Sequence, residues 1–183
     1  MLLHGQVFIV HRQLAKELLV RFLNGLLCPI MIDFPSFKKS SLEAETTLKI
    51  SCADLLAILD QADQPITISS KTMQSPPSLA GLLLSYPSIY YSEDPTSAIF
   101  NAEVGVFSVH TDGRVPRTLM QFSSSPDFVE TVKTRLEEIV KEWERRLTQL
   151  SPALTKRWCS YTGEESCTLK IQIETRRTPI LSL

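Results

Sequence analysis

The amino-terminal part of the chain alternates between short apolar runs and a helical pattern. The apolar runs predict three buried strands, at Gln6–Val10, Pro29–Asp33 and Pro65–Ser69. Between the first two runs, large apolar residues recur every four positions from Leu14 to Leu26, which predicts an amphipathic helix. A shorter helix is predicted to begin with Ser51 as its N-cap and to end near Ala62. This β-α-β-α-β order indicates parallel pairing, because crossover helices join strands that run in one direction.

The second half has the pattern of an antiparallel sheet and a long helix. Val104–His110 and Thr118–Phe122 alternate and flank a turn sequence, so they predict a hairpin. Apolar residues form one stripe over Ser125–Leu150, which predicts a long helix with Ser125 as its N-cap. Cys167–Thr175 alternates apolar and polar side chains, as a strand with one solvent-exposed face does.

Together these elements predict a single three-layer α/β domain over residues 1–183. Its mixed sheet is expected to be parallel in the first half, with the βαβαβ order. In the second half, the hairpin and the strand near the C-terminus are expected to be antiparallel. The helix at 125–150 is expected to cover one face of the sheet, and residues 151–166 are expected to form an internal linker. A chain of 183 residues buries enough surface to need no disulfide or metal.

Composition and charge narrow the class of protein. The chain is 43% hydrophobic and 21% charged with a formal net charge of −1, which is typical of a globular protein and not of a nucleic-acid binder. Nucleic-acid binding would rest only on the basic pairs Lys156-Arg157 and Arg176-Arg177, and pairs of this length are more often solvated surface than a binding track. No run is apolar enough for a membrane helix, no signal-peptide pattern precedes the first strand, and the cysteines form no C-x-x-C pair. We therefore expect a cytoplasmic or nuclear protein without a cofactor, metal site or membrane contact.

No catalytic motif stands out in the sequence. With six glycines, the chain has no Gly-rich phosphate loop after its first strand. His11 follows the first predicted strand, Asp33 ends the second and Ser69 ends the third. Together they could form a small-molecule or acid–base site at adjacent strand ends. The simpler interpretation, in which each residue caps a loop or a helix, is favoured. Cys52, in a predicted first helical turn, is a better candidate for a thiol nucleophile than Cys28, which lies at a predicted helix end. Packing is nevertheless the commoner role of such a cysteine.

An aromatic segment is the main functional feature of the sequence. Tyr86, Pro87, Tyr90 and Tyr91 lie in an irregular stretch after a short apolar helix. Because tyrosines are enriched at protein interfaces, the segment predicts an interaction surface. Ordinary packing of the segment against the sheet is the alternative interpretation.

Several motifs follow one another in a fixed order along the chain. They are Val7–Val10, Met31–Asp33, Gly81–Tyr90, Phe122–Pro126, Trp143–Leu147, Leu169–Ile173 and Thr178–Leu183, of which the Gly-Leu-Leu-Leu-Ser-Tyr-Pro segment is the most specific. This series resembles a eukaryotic family of unknown function that is typified by a human chromosome 1 open-reading-frame protein. The resemblance spans most of the chain and implies the α/β fold. Family members have a further strand and helix before the position of Val7, and the resemblance implies that this chain lacks them. It implies no activity, substrate or catalytic residue.

The sequence favours a non-catalytic interaction subunit or scaffold of an intracellular complex. Such a protein would dock on another protein through the tyrosine segment, or by adding the strand at Cys167–Thr175 to the edge of a partner's sheet. The alternative is a small-molecule-binding protein or an enzyme with its site at the carboxyl ends of the first three strands. A homo-oligomer is compatible with both hypotheses.

Overall fold

The structure is a computed structural model. It describes residues 2–3, 6–7, 11–61, 76–92, 98–112, 116–150, 152–162 and 168–182. The chain divides into two compact units, the first formed by Met1–Phe100 with Ile180–Leu183 and the second by Asn101–Pro179. This division does not decide whether residues 1–183 fold as one domain, and that statement stays a prediction.

Helices and strands alternate along the described residues. The helices are α1 (Arg12–Leu23), α2 (Leu42–Gln61), α3 (Pro76–Leu83), α4 (Val129–Thr148) and α5 (Pro152–Thr162), with a 3₁₀ turn at Pro126–Phe128. The strands are β1 (Leu2–Leu3), β2 (Gln6–Val7), β3 (Ile30–Asp33), β4 (Ser88–Tyr91), β5 (Ala98–Thr111), β6 (Thr118–Ser124) and β7 (Leu169–Ser182). The predicted α/β class is therefore confirmed.

The first unit is built around a short parallel strand pair. β3 and β4 pair with Met31 opposite Ile89. Parallel pairing in this half of the chain agrees with the prediction, but β3 pairs with β4, and the described residues of β2 pair antiparallel with β1. Residues 8–10 of the strand predicted at Gln6–Val10 lie outside the described residues. In the described residues, the strands form three separate sheets rather than one mixed sheet. The strand predicted at Pro65–Ser69 lies outside those residues.

Helices α1, α2 and α3 bury their apolar faces with β3 and β4 in one hydrophobic cluster. Its buried members are Ala15, Leu19, Phe22, Met31, Ala44, Leu48, Cys52, Leu55, Leu59, Leu79, Leu82, Leu83, Ile89 and Tyr91. A glycine allows α3 to approach β4 closely, because a Cβ atom on Gly81 would lie 2.7 Å from Cγ2 of Ile89. Removal of these apolar side chains from water is the main force that holds the first unit together.

Helix α2 begins much earlier in the chain than the sequence predicted. The Ser41 hydroxyl accepts a hydrogen bond from the Ala44 amide at 3.2 Å, which is the usual N-cap arrangement. Ser51 lies inside the helix and is buried, so its assignment as the N-cap was wrong. The prediction failed because exposed apolar residues, Leu42 and Ile50, hide the helical period in the first half of α2.

The second unit contains most of a three-stranded sheet with the order β6-β5-β7. β5 and β6 form the predicted antiparallel hairpin, in which Phe107 lies opposite Phe122. The two rings are stacked, with their centroids 5.2 Å apart. Cross-strand aromatic pairs of this kind stabilise a sheet and help to set its register.

Strand β7 lies at one edge of this sheet. Lys170 forms an ion pair with Asp112 at 2.6 Å, and Arg177 forms one with Glu103 at 3.6 Å. Asp112 directly follows β5 and Glu103 lies within it. Later residues of β7 therefore pair with earlier residues of the β5 segment, so the two strands run antiparallel. β7 extends past its predicted end and includes Pro179. An edge strand tolerates a proline, since its outer side needs no ladder hydrogen bond.

Helix α4 is the predicted long helix, and it buries one apolar stripe in the second unit. That stripe consists of Val132, Leu136 and Val140. Its first turn packs on β5, since a Cβ atom on Gly105 would lie 2.7 Å from Cγ2 of Val129. Ser125 occupies the N-cap position of the preceding 3₁₀ turn, but its side chain makes no capping hydrogen bond.

The range predicted as an internal linker, 151–166, contains helix α5. Pro152 occupies the first helical position, where its missing N–H removes no hydrogen bond. The sequence suggested a linker because it carries Pro152 and Gly163, which usually mark loops. Here the proline begins a helix instead.

Candidate functional site

A tight loop follows β3, and hydrogen bonds within it fix its shape. The Asp33 amide donates to the Lys38 carbonyl at 2.7 Å, and the Phe37 amide donates to the Asp33 carbonyl at 2.9 Å. The Ser36 hydroxyl donates to a carboxylate oxygen of Asp33. We call residues Phe34–Lys39 the aromatic loop.

Three aromatic rings meet at this loop. The Tyr90 ring lies with its centroid 6.0 Å from that of Phe34 and 6.0 Å from that of Phe37. The Phe34 and Phe37 rings meet edge to face, with centroids 6.2 Å apart. Phe34 is buried, whereas Phe37 and Tyr90 are partly exposed. We call these three residues the aromatic cluster.

The tyrosine segment that the sequence identified divides between the core and the surface. Tyr91 is 4% exposed and belongs to the hydrophobic cluster of the first unit. Pro87 is buried, and Tyr86 packs partly against the same cluster, where burial raises its pKa. Tyr90 points to the opposite side of β4, because successive side chains of a strand alternate. Core packing therefore accounts for Tyr86, Pro87 and Tyr91, and Tyr90 is the member that contributes to the aromatic cluster.

His11 and Asp33, two residues of the alternative ligand site, each have a local structural role. His11 is the N-cap of α1, and its Nδ1 atom accepts a hydrogen bond from the Leu14 amide at 3.3 Å. The Asp33 carboxylate accepts the Ser36 hydroxyl within the aromatic loop. Between residues 11 and 61, no hydrogen bond or ion pair joins His11 to Asp33. Ser69 lies outside the described residues, so this ligand site stays a prediction.

Cys52 does not have the position that would activate a thiol. It lies in the middle of α2 and not in its first turn, since the helix begins at Leu42. The side chain is fully buried, and burial raises the pKa of the Cys52 thiol to about 12. The thiolate that acts as a nucleophile is therefore disfavoured. In the part of the chain that the structure describes, no three His, Cys, Asp or Glu residues are grouped so as to hold a metal ion.

The hairpin carries a polar arrangement that the sequence did not reveal. Nε2 of His110 lies 2.9 Å from the Ser108 hydroxyl, and Nδ1 lies 3.1 Å from the Thr118 hydroxyl. The His110–Ser108 contact could have been predicted, because residues two apart on a strand lie on the same face. The His110–Thr118 contact depends on the β5–β6 register. Hydrolytic triads use a carboxylate beside Nδ1 to orient the histidine ring. The group beside Nδ1 of His110 is instead the Thr118 hydroxyl, so this arrangement differs from a hydrolytic triad.

Comparison of the chain with protein-family models, with curated proteins and with solved structures finds no match. Among the helices that the structure describes, none combines the length and apolarity that a membrane span requires.

Proposed function

We propose that this chain is a non-catalytic subunit that binds another protein through the aromatic loop and Tyr90. The observation that carries the proposal is the aromatic cluster, in which Phe37 and Tyr90 are both partly exposed residues. Aromatic side chains held in fixed positions offer a large contact area and lose little entropy on binding. They are accordingly enriched at the centres of protein interfaces.

The backbone of the loop supports this proposal. Phe37 has a φ of 58°, in the left-handed region. A residue with a side chain pays about 1–2 kcal/mol to adopt that conformation, so it persists only where the surrounding structure holds it. The hydrogen bond from the Phe37 amide to Asp33 holds it here. Strained positions of this kind occur preferentially at binding and switching sites.

The charge around the cluster indicates the chemistry of the partner. Lys38 and Lys39 are exposed, and neither forms an ion pair within the described residues of the first unit. Pro35, also exposed, adds an apolar contact beside them. A partner segment with an apolar anchor and neighbouring Asp or Glu residues would complement this surface, since opposite charges speed and orient association.

The test is affinity capture from native lysate with quantitative mass spectrometry. Wild type is compared with Tyr90→Ala and with a double variant that carries Lys38→Glu and Lys39→Glu. We expect a specific partner to be lost with both, because one removes the aromatic anchor and the other reverses the local charge. A thermal melt of each protein shows whether it is folded.

The matched control carries the same change of charge in the second unit, on α4 and α5, as Lys141→Glu with Lys156→Glu. It should keep the partner. If the loop double variant captures the same proteins in the same amounts as this control, the proposal is wrong. A metabolite that raises the melting temperature of the wild type would favour the small-molecule alternative.

A further inference from the structure

Helix α2 presents an apolar stripe on the side opposite its buried face. Leu42 is 79% exposed and Ile50 is 60% exposed. Thr46, Ala53 and Ala57 are exposed as well. At about 100° per residue, these five positions fall within one narrow sector of the helix surface. We call them the α2 stripe.

The α2 stripe takes no part in the hydrophobic core of the first unit. The α2 residues in that core are Ala44, Leu48, Cys52, Leu55 and Leu59. The solvent face of an amphipathic helix normally carries polar side chains. Exposed leucine and isoleucine side chains in one row are instead the pattern of a surface that packs against another element.

Two carboxylates border the stripe on one side. Glu43 and Asp54 are exposed, and neither forms an ion pair within residues 11–61. The carboxylates of Glu45, on the other border, and of Asp60, which lies in line with Leu42 at the end of α2, already have lysine partners. Glu43 also complements the positive end of the helix dipole, but Asp54 lies too far along the helix for that role.

We propose that the α2 stripe docks an amphipathic helix of another protein, whose apolar face is bordered by Lys or Arg. Its apolar side chains would cover Leu42 and Ile50, and its basic groups would pair with Glu43 and Asp54. A second copy of α2 fits less well. In an antiparallel pair of identical helices the same borders face each other, so the carboxylates would meet carboxylates and repel. The proposal concerns residues outside the aromatic loop and goes beyond the function proposed above.

The two carboxylates also set the spacing that the partner needs. Glu43 and Asp54 lie three turns apart, or about 16 Å along the helix axis. A helix that lies along α2 can reach both if its basic residues are also three turns apart. A helical peptide with two basic residues at this spacing is therefore a suitable probe of the α2 stripe.

The test uses the intact chain and a synthetic helical peptide. The peptide has leucines along one face and two arginines beside that face, three turns apart; a control peptide has glutamates at the two arginine positions. Binding is measured by fluorescence anisotropy. We expect the arginine peptide to bind about tenfold more tightly, and added salt to reduce the difference, because exposed ion pairs are screened.

Variants of the chain identify the surface that binds. Ile50→Gln should weaken binding of the arginine peptide by about tenfold, since it removes an apolar side chain that the peptide covers. Asp54→Lys should remove the preference for arginine over glutamate. Leu26→Gln changes a leucine that is 71% exposed outside α2 and should leave binding unchanged, as should Lys38→Glu in the aromatic loop.

Three results would each overturn this proposal while leaving the aromatic-loop proposal untouched. The first is that the two peptides bind equally, and the second is that Ile50→Gln binds the arginine peptide like the wild type. The third is that the wild type sediments as a dimer that Ile50→Gln dissociates, because a second copy would then cover the stripe.

Discussion

Helices α2 and α4 are both 20 residues long, and each buries one apolar stripe, but their outer faces differ. On α4, Glu142 pairs at 2.7 Å with Arg145 and with Arg146, as expected of a helix face in water. On α2, the outer face carries Leu42 and Ile50. Core packing and hydration therefore explain both sides of α4 but only one side of α2. The unexplained side is where a role outside the fold should be sought.

The largest effect on the free energy of unfolding is expected from substitutions on the buried faces, which both helices have. Leu48 of α2 and Leu136 of α4 are both 0% exposed. Truncation of either side chain leaves a cavity, so Leu48→Ala and Leu136→Ala should each lower the free energy of unfolding by about 2–5 kcal/mol. Urea denaturation measures both values. A much smaller loss for Leu48→Ala alone would show that α2 contributes less to its core than α4 does.

A smaller loss of stability, which depends on pH, is expected from a substitution on the charged face of α4. Hydrogen bonds from Arg145 and Arg146 lower the pKa of Glu142 from its ordinary value of 4.5 to about 2. Because the folded state lowers this pKa, the pairs stabilise the protein above pH 4.5, and their contribution falls as the pH drops towards 2. Glu142→Gln should thus be less stable than the wild type at pH 7, by less than the leucine variants because the pairs are exposed.

This expectation is checked by denaturation at several pH values and by NMR titration of the Glu142 carboxyl. The stability curves of the wild type and Glu142→Gln should converge below pH 4.5. A constant difference down to pH 2 would mean that the charge of Glu142 is not what stabilises α4.

The smallest effect is expected on the apolar face of α2. Ile50 is mostly exposed, so Ile50→Gln should change the free energy of unfolding by no more than about 0.5 kcal/mol. The same urea series measures it, with Leu26→Gln as the control for an exposed apolar residue. A loss as large as that of Leu48→Ala would assign Ile50 to the fold and would remove the contrast between the two helices.

The same contrast explains which elements could be predicted from the sequence. Helix α4 was predicted because its apolar and charged residues alternate with the helical period. The start of α2 was missed because Leu42 and Ile50 carry apolar side chains on the solvent side. The β5–β6 hairpin was predicted because its strands are adjacent in the chain and alternate in polarity. The pairing of β3 with β4 joins segments that are distant in sequence, and no local pattern encodes it.

The sequence identified the tyrosine segment of the candidate site but not the arrangement of its side chains. The sequence singled out Tyr90 together with Tyr86 and Tyr91, but a strand as short as β4 does not show by pattern which tyrosine faces the core. Phe34 and Phe37 follow the predicted strand Pro29–Asp33, and no pattern in the sequence singles them out. Their meeting with Tyr90 depends on the conformation of the aromatic loop, and that in turn depends on hydrogen bonds that the sequence does not display.

Strand β7 has a consequence for how molecules of this protein behave towards one another. It is 14 residues long and lies on the edge of its sheet. A bare edge of that length would be a template for strands of neighbouring molecules and hence for fibril growth. The exposed charges of Lys170, Arg176 and Arg177 oppose such stacking. We therefore expect these residues to oppose aggregation through this edge.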